Sequence, residues 1–168
     1  ADVLLITHTH YDHCSIEDIR KIIKKETVII TVPDAQSKLV TMDVAAVKLV
    51  RPGDKLSLEG IDITVVPAYN TNKEFHPKEN EWVGFIIDIA GTSVYVAGDT
   101  DLLPEMSSFP KVDVAFLPVS GTYVMTAEEA AKAALVIKPE IAIPMHYGSI
   151  VGSEADAVYE ALVAAHDG

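Results

Sequence analysis

The segment Val3-Leu4-Leu5-Ile6-Thr7-His8-Thr9-His10-Tyr11-Asp12-His13-Cys14-Ser15 constrains this chain more than any other. Its four leading apolar residues, 3–6, read as a buried strand. Ser15, with Asp18 three residues on, reads as a helix N-cap in an acidic variant of the capping box. Ile16, Ile19, Ile22 and Ile23 then recur at helical spacing through Lys25. Three histidines and an aspartate are therefore confined to one strand-to-helix turn, at the end of a strand where open α/β sheets place their ligands. In extended backbone, residues two apart share a side, so His8 and His10 can grip one ion together. Asp12 and His13 lie where the chain turns, placed to hold a second ion beside the first. Imidazoles and a carboxylate suit Zn²⁺, and also Mn²⁺ or Fe²⁺. A lone histidine is usually just hydrogen-bonded, but four ligand-type side chains within residues 8–13 are poorly explained that way.

The rest of the chain supplies the frame. Residues 28–32 read as a second buried strand, Pro33-Asp34 opens a short helix to about Val40, and 47–50 is another strand. The turn pairs Pro52-Gly53, Glu59-Gly60 and Ala90-Gly91 punctuate the extended runs 55–58, 61–66, 82–89 and 93–97, which predicts an antiparallel meander. Residues 112–119 form a further strand. Thr126 and Glu129 make a capping box ahead of an alanine-rich helix that stops at Pro139. A strand over 140–144 runs into His146, and Ser153 starts a last helix to about His166. Strand–helix units flanking a meander predict one layered α/β domain over residues 1–168, with helices outside and sheet inside.

Composition narrows the function. Hydrophobic residues make up 49% of the chain, enough for a real core. The net charge of -12 disfavours nucleic acid as a partner, although bound divalent metals would reverse the field locally. A single cysteine, Cys14, excludes an internal disulfide and a four-cysteine zinc site, and fits a reducing, cytoplasmic setting. No basic region opens the chain at Ala1-Asp2, and no apolar run approaches the ~20 residues of a membrane span. The expected partner is a small-molecule substrate, with no membrane and with self-association left open.

His8-x-His10-x-Asp12-His13 resembles the signature of the metallo-β-lactamase superfamily. Val96-Ala97-Gly98-Asp99-Thr100 resembles its later motif, whose aspartate bridges two metals. Pro144-Met145-His146-Tyr147-Gly148 resembles its final motif, whose histidine completes the second site. All three follow predicted strands in the superfamily's order. Pro67-Ala68-Tyr69-Asn70 and Phe75-His76-Pro77-Lys78 resemble an uncharacterised branch of Zn-dependent hydrolases, related to lactonase- and phospholipase-D-like members.

The resemblance implies a four-layer αββα sandwich with a shallow metal site at one sheet edge. Superfamily members have several strands before the first motif, and only residues 1–6 precede it here. The expectation is an N-terminally truncated domain with a thin first sheet and an exposed edge. Carried over position by position, His8 and His10 belong to one metal and Asp12 and His13 to the other; Asp99 bridges them and His146 joins the second. Related enzymes carry a Pro-Ala-x-His run where this chain has Asn70, so His76 is the expected third ligand of the first metal. Asn70 is the alternative, as a weak ligand, a group behind a ligand or a turn residue.

The activity implied is hydrolysis of an ester, lactone or phosphodiester by a hydroxide shared between two divalent ions, Zn²⁺ foremost. Asp12 would also pass a proton to the leaving group, and Asp99 is the other catalytic candidate. Thr7, Thr9 and Asp101 are candidates for orienting the ligands. Tyr69, Asn70, Tyr147 and Ser149 are the expected substrate contacts, Trp82 a core residue, Cys14 a packed residue and His166 a surface one. Two alternatives remain at this point: a mononuclear iron dioxygenase on the same fold, and a metal-binding domain without catalysis. Diiron oxygen reductases of the superfamily usually carry a glutamate where this chain has His10.

Overall fold

The apolar runs resolve into two sheets. In the computed structural model, which describes residues 1–148, β1 (Val3–Leu5), β2 (Val28–Thr31) and β3 (Ala46–Leu49) form a parallel sheet in that order, with Leu4 opposite Ile29 and Ile29 opposite Val47. The crossover from β1 to β2 contains α1 (Ile16–Ile22), and that from β2 to β3 contains a 3₁₀ turn (Pro33–Ala35) and α2 (Gln36–Leu39). The second sheet has six strands in chain order: β4 (Lys55–Leu58), β5 (Ile61–Pro67), β6 (Val83–Ile89), β7 (Thr92–Val96), β8 (Val114–Pro118) and β9 (Ile141–Met145). The β4–β7 pairs are antiparallel, which is the predicted meander, and β7, β8 and β9 are parallel. A helix, α3 (Ala127–Ile137), makes the β8–β9 crossover. The helix expected from Ser153 lies outside the described residues.

Period-2 alternation assigns the second sheet to two cores. Ile63 and Val65 of β5 and Val83 and Phe85 of β6 pack with Ile29, Ile30 and Ile19 from the first sheet and α1. Val66 and Ile86 point the other way, with Tyr95, Leu117 and the α3 residues Ala130 and Ala133. The layers are thus helix, sheet, sheet, helix, the αββα arrangement that the resemblance implies. β2 explains its own unbroken apolar run, because it is the central strand and Ile29 and Ile30 are fully buried. Each contributes on the order of 1.5–3 kcal/mol by leaving water.

Local signals set the element ends. Ser15 Oγ accepts from Asp18 N at 3.3 Å and starts α1. The helix stops at Ile22, short of the predicted Lys25, because Ile23 is extended and Lys24 N donates to Thr27 Oγ1 instead. Thr126 and Glu129 cap α3 reciprocally, and Lys138 turns left-handed (φ 58°) ahead of Pro139.

This topology concentrates chain exits. β5, β7, β8 and β9 all run the same way, so their carboxyl ends share one sheet edge. β6 starts at that edge, and Val83 N donates to Thr7 O at 3.2 Å, which ties the exit of β1 to the same place.

Candidate metal centre

Each ligand-type side chain stands just beyond a strand at that edge. The turn after β1 is closed by His13 N and Cys14 N, both donating to His10 O at 3.1 and 2.8 Å. Asp99 follows β7 through Gly98, whose φ is 66°. A Cβ on Gly98 would lie 3.0 Å from Val83 O and 3.1 Å from two carbons of Thr7, so only glycine lets this loop lie against the β1 exit. His146 follows β9 in a left-handed conformation (φ 57°), an uncommon one for a residue with a side chain. His76 comes from the loop after β5. That loop folds back because Asn70 N donates to His76 O at 2.8 Å and His76 N donates to Asn70 Oδ1 at 3.0 Å.

These residues form two sets that share one carboxylate. His8, His10, His76 and Asp99 make one set, and Asp12, His13, Asp99 and His146 the other; within each, the candidate ligand atoms lie within 4.8 Å of one another. Asp99 Oδ2 is 3.0 Å from His76 Nε2, 3.3 Å from His146 Nε2 and 3.8 Å from His8 Nε2, while Asp99 Oδ1 is 3.1 Å from His13 Nε2. Asp12 Oδ2 is 3.2 Å from His13 Nε2 and 3.4 Å from His146 Nε2. Two ligands of a tetrahedral ion, each bound at 2.0–2.1 Å, sit roughly 3.3 Å apart. The observed separations scatter about that value. Some are also short enough for hydrogen bonds, yet the buried atoms His8 Nε2, His13 Nε2, His76 Nε2 and Asp99 Oδ1 have no hydrogen-bond partner of good geometry among the described residues. Buried, unsatisfied imidazole nitrogens aimed at one carboxylate are what a cation-binding donor set presents.

The groups behind the ligands fix which nitrogen faces inward. His76 Nδ1 lies 3.0 Å from Asn70 Oδ1 and 3.2 Å from Tyr123 O. Both oxygens can only accept, so Nδ1 carries a proton and Nε2 is the nitrogen that faces the cluster. Asn70 is held in turn: its Nδ2 donates to Asp101 Oδ1 (3.1 Å) and Tyr123 O (3.0 Å). Asp101 is 2% exposed and also accepts from Thr71 N (2.8 Å) and Lys73 Nζ (2.7 Å). Thr7 Oγ1 meets His8 Nδ1 at 3.0 Å, and Ser120 Oγ meets His146 Nδ1 at 3.2 Å. Thr9 instead reaches Asp34, which also accepts from Trp82 Nε1 at 2.8 Å. Trp82 is buried as expected, and its ring walls the first set, with centroids 4.8 Å from both His8 and His10. Sequence reasoning missed Ser120 and Lys73. Ser120 carried a usable signal, since it follows β8 at the same edge; Lys73 carried none.

The electrostatics suit a cation. Burial, reinforced by the neighbouring His13, pushes His8 down to about 2, so its imidazole is neutral. Burial also lowers His10, with His76 adding to the effect. Burial alone would raise Asp99, but contacts from His13, His146 and His76 outweigh it and hold the carboxyl well below its ordinary range. His146 is raised by its contact with Asp99. A neutral His8 imidazole beside the ionised Asp99 carboxylate is the pairing of protonation states that metal binding requires. Cys14 is buried and its thiol is pushed up by desolvation, which makes it a packed residue and a poor nucleophile.

A cavity of roughly 370 Å³ opens onto this cluster. Its floor is His10, Asp12, His76, Asp99 and His146, and its rim is Tyr11, Phe75 and Tyr123. Three of the expected substrate contacts are not among its lining residues. The Tyr69 ring is buried, and its hydroxyl lies 3.1 Å from both Glu105 carboxylate oxygens and accepts from Lys78. The Asn70 amide is consumed by His76, Asp101 and Tyr123, which places it behind a ligand rather than in the cavity. Tyr147 is exposed and is not among the described lining residues, and Ser149 lies outside the described residues.

Comparison with known proteins agrees with this architecture. The family model described as the β-lactamase superfamily domain matches residues 1–146. A UPF0173 metal-dependent hydrolase of Thermoplasma acidophilum is 33% identical over 158 residues, covering 92% of this chain and 69% of that protein. The crystal structure of a candidate metal-dependent hydrolase from Parabacteroides distasonis superposes with a TM-score of 0.85 at 38% identity, over 96% of this chain and 71% of that one. The metallo-β-lactamase fold protein YhfI of Bacillus subtilis superposes with a TM-score of 0.76 over 98% of this chain and 71% of its own; at 13% identity it speaks for the fold alone.

Proposed function

The chain belongs to the β-lactamase superfamily domain family, and from that premise we propose that it is a hydrolase that holds two divalent metal ions. The supporting observation is the sharing of Asp99 between two sets of histidine and carboxylate ligands whose inward nitrogens are unsatisfied. His8, His10 and His76 would hold the first ion, and Asp12, His13 and His146 the second, with Asp99 between them. Three imidazoles and carboxylates suit Zn²⁺ best, with Mn²⁺ and Fe²⁺ compatible. Bound there, such ions would supply Lewis acidity and make water a competent nucleophile near neutral pH.

The chain's own residues do the rest. The Thr7, Asn70 and Ser120 side chains hold three imidazoles in fixed orientation. Trp82 keeps water from the back of the first set. Asp12, partly exposed among the residues that line the cavity, would carry a proton to the departing oxygen. Ester, lactone and phosphodiester bonds are the substrate classes open to this centre.

The test is a screen of those three classes with Zn²⁺, Mn²⁺ and Fe²⁺ added in turn. Hydrolysis of at least one class, abolished by chelation and restored by metal, is expected. Oxygen consumption without hydrolysis would point to an oxygenase instead.

A further inference from the structure

The cavity rim is unusual in being aromatic and exposed. Tyr11 is 75% exposed, Phe75 47% and Tyr123 38%. All three border the opening onto the ligand cluster. Phe75 and Tyr123 meet edge to face with centroids 4.7 Å apart, a preferred aromatic geometry that presents a stable apolar wall. Scattered apolar side chains on a surface need no explanation; three large ones bordering a polar floor mark a place where an apolar group docks.

What is missing from the rim matters as much. No lysine or arginine is among the described lining residues. The nearby lysines are committed elsewhere: Lys73 to Asp101 at 2.7 Å, Lys38 to Thr9 O at 2.6 Å, and Lys78 to Tyr69 and Glu105. Residues 149–168 contain no lysine or arginine that could supply one, and the whole chain carries -12. A negative charge on the substrate away from the scissile group would meet no lysine or arginine among the described lining residues, and an acidic protein around it.

We propose that this site takes a carboxylic ester or lactone without an anionic group, with an aryl or alkyl group seated against Phe75, Tyr123 and Tyr11. The proposal rests on the hydrolase reading for its chemistry and on the rim for its specificity. Water's oxygen bonds to the carbonyl carbon and the bond from that carbon to the leaving oxygen breaks. One water proton ends on the leaving alcohol, and the other is released as the carboxylic acid ionises.

The experiment uses the metal-loaded protein and three probes with a common leaving group: p-nitrophenyl butyrate, p-nitrophenyl hemisuccinate and bis(p-nitrophenyl) phosphate. The butyrate should exceed the hemisuccinate in kcat/KM by about tenfold or more and should also exceed the phosphodiester. Phe75→Ala and Tyr123→Leu should each raise KM for the butyrate by about tenfold, with metal content and thermal midpoint unchanged. Binding of 4-phenyl-2-butanone, a neutral ketone that is not hydrolysed, is read by calorimetry and should weaken by a similar factor in Phe75→Ala. Preference for the hemisuccinate or the phosphodiester would overturn the substrate class and leave the hydrolase reading intact. If neither these probes nor dihydrocoumarin, a neutral aryl lactone, is turned over while both metals are bound, the hydrolase reading fails, and ketone binding alone decides the rim. Ketone binding lost in Phe75→Ala would support the apolar seat; no binding, or equal binding to the variant, would overturn it.

Discussion

At the scale of single residues, the most informative side chain is Asn70. Its Oδ1 fixes the His76 ring and its Nδ2 anchors to Asp101. Losing a group that orients a metal-binding histidine typically costs 10–100-fold in affinity. Asn70→Ala should therefore weaken metal binding by roughly that factor, measured by competition with a chromophoric chelator. An unchanged affinity would show that His76 needs no such support. The sequence made most of the ligand cluster legible, because His8, His10, Asp99 and His146 each stand just after a strand-like run. The role of Asn70 was not legible in the same way. It depends on a contact with Asp101, 31 residues away, and on a carbonyl at Tyr123, and neither leaves a local pattern. The same reason applies to Tyr69. Tyr69 lies in a polar loop by sequence, yet the fold turns its ring inward toward Lys78 and Glu105.

At the scale of elements, the loop after β7 depends on Gly98. Alanine there would keep a φ of 66° only with strain, and its Cβ would press on Val83 O and Thr7. Gly98→Ala should cost at least ~1 kcal/mol in chemical denaturation and should also weaken metal binding, since the loop must move and Asp99 with it. Thr126→Ala is the matched control. It removes a capping bond from α3 but leaves the Ser120–Thr126 backbone bridge in place, and should cost about 1 kcal/mol with no change in metal content. The meander and the α3 cap were readable because glycine turns and a Thr-x-x-Glu box act locally. The early end of α1 was not, because Ile22 and Ile23 continue the helical spacing while Thr27 captures the backbone that would extend it.

At the scale of the molecule, two features connect site and stability. The candidate ligands come from both sheets, with His8 to His13 after β1 and His76, Asp99 and His146 from the larger sheet. Metal should therefore brace the sandwich, and chelation should lower the thermal midpoint. The second feature is Tyr95, fully buried in the larger core with no hydrogen-bond partner for its hydroxyl among the described residues. Burial pushes its pKa well above the ordinary value of 10.0. The unfolded chain would ionise first, so this group's share of stability is intact below pH 10 and is lost as pH rises toward the folded value. Tyr95→Phe removes an unsatisfied polar group, so it should gain about 1 kcal/mol at neutral pH and fall less steeply above pH ~10 in urea unfolding. A loss of stability in Tyr95→Phe would mean that the hydroxyl has a partner.

The central claim is a pair of ions held jointly through Asp99, and counting metal tests it most directly. Elemental analysis of the protein equilibrated with Zn²⁺ and freed of excess ion should give close to two ions per chain, and Asp99→Ala should lose at least one of them. A native chain that binds none, or an Asp99→Ala chain that keeps both, would contradict the account.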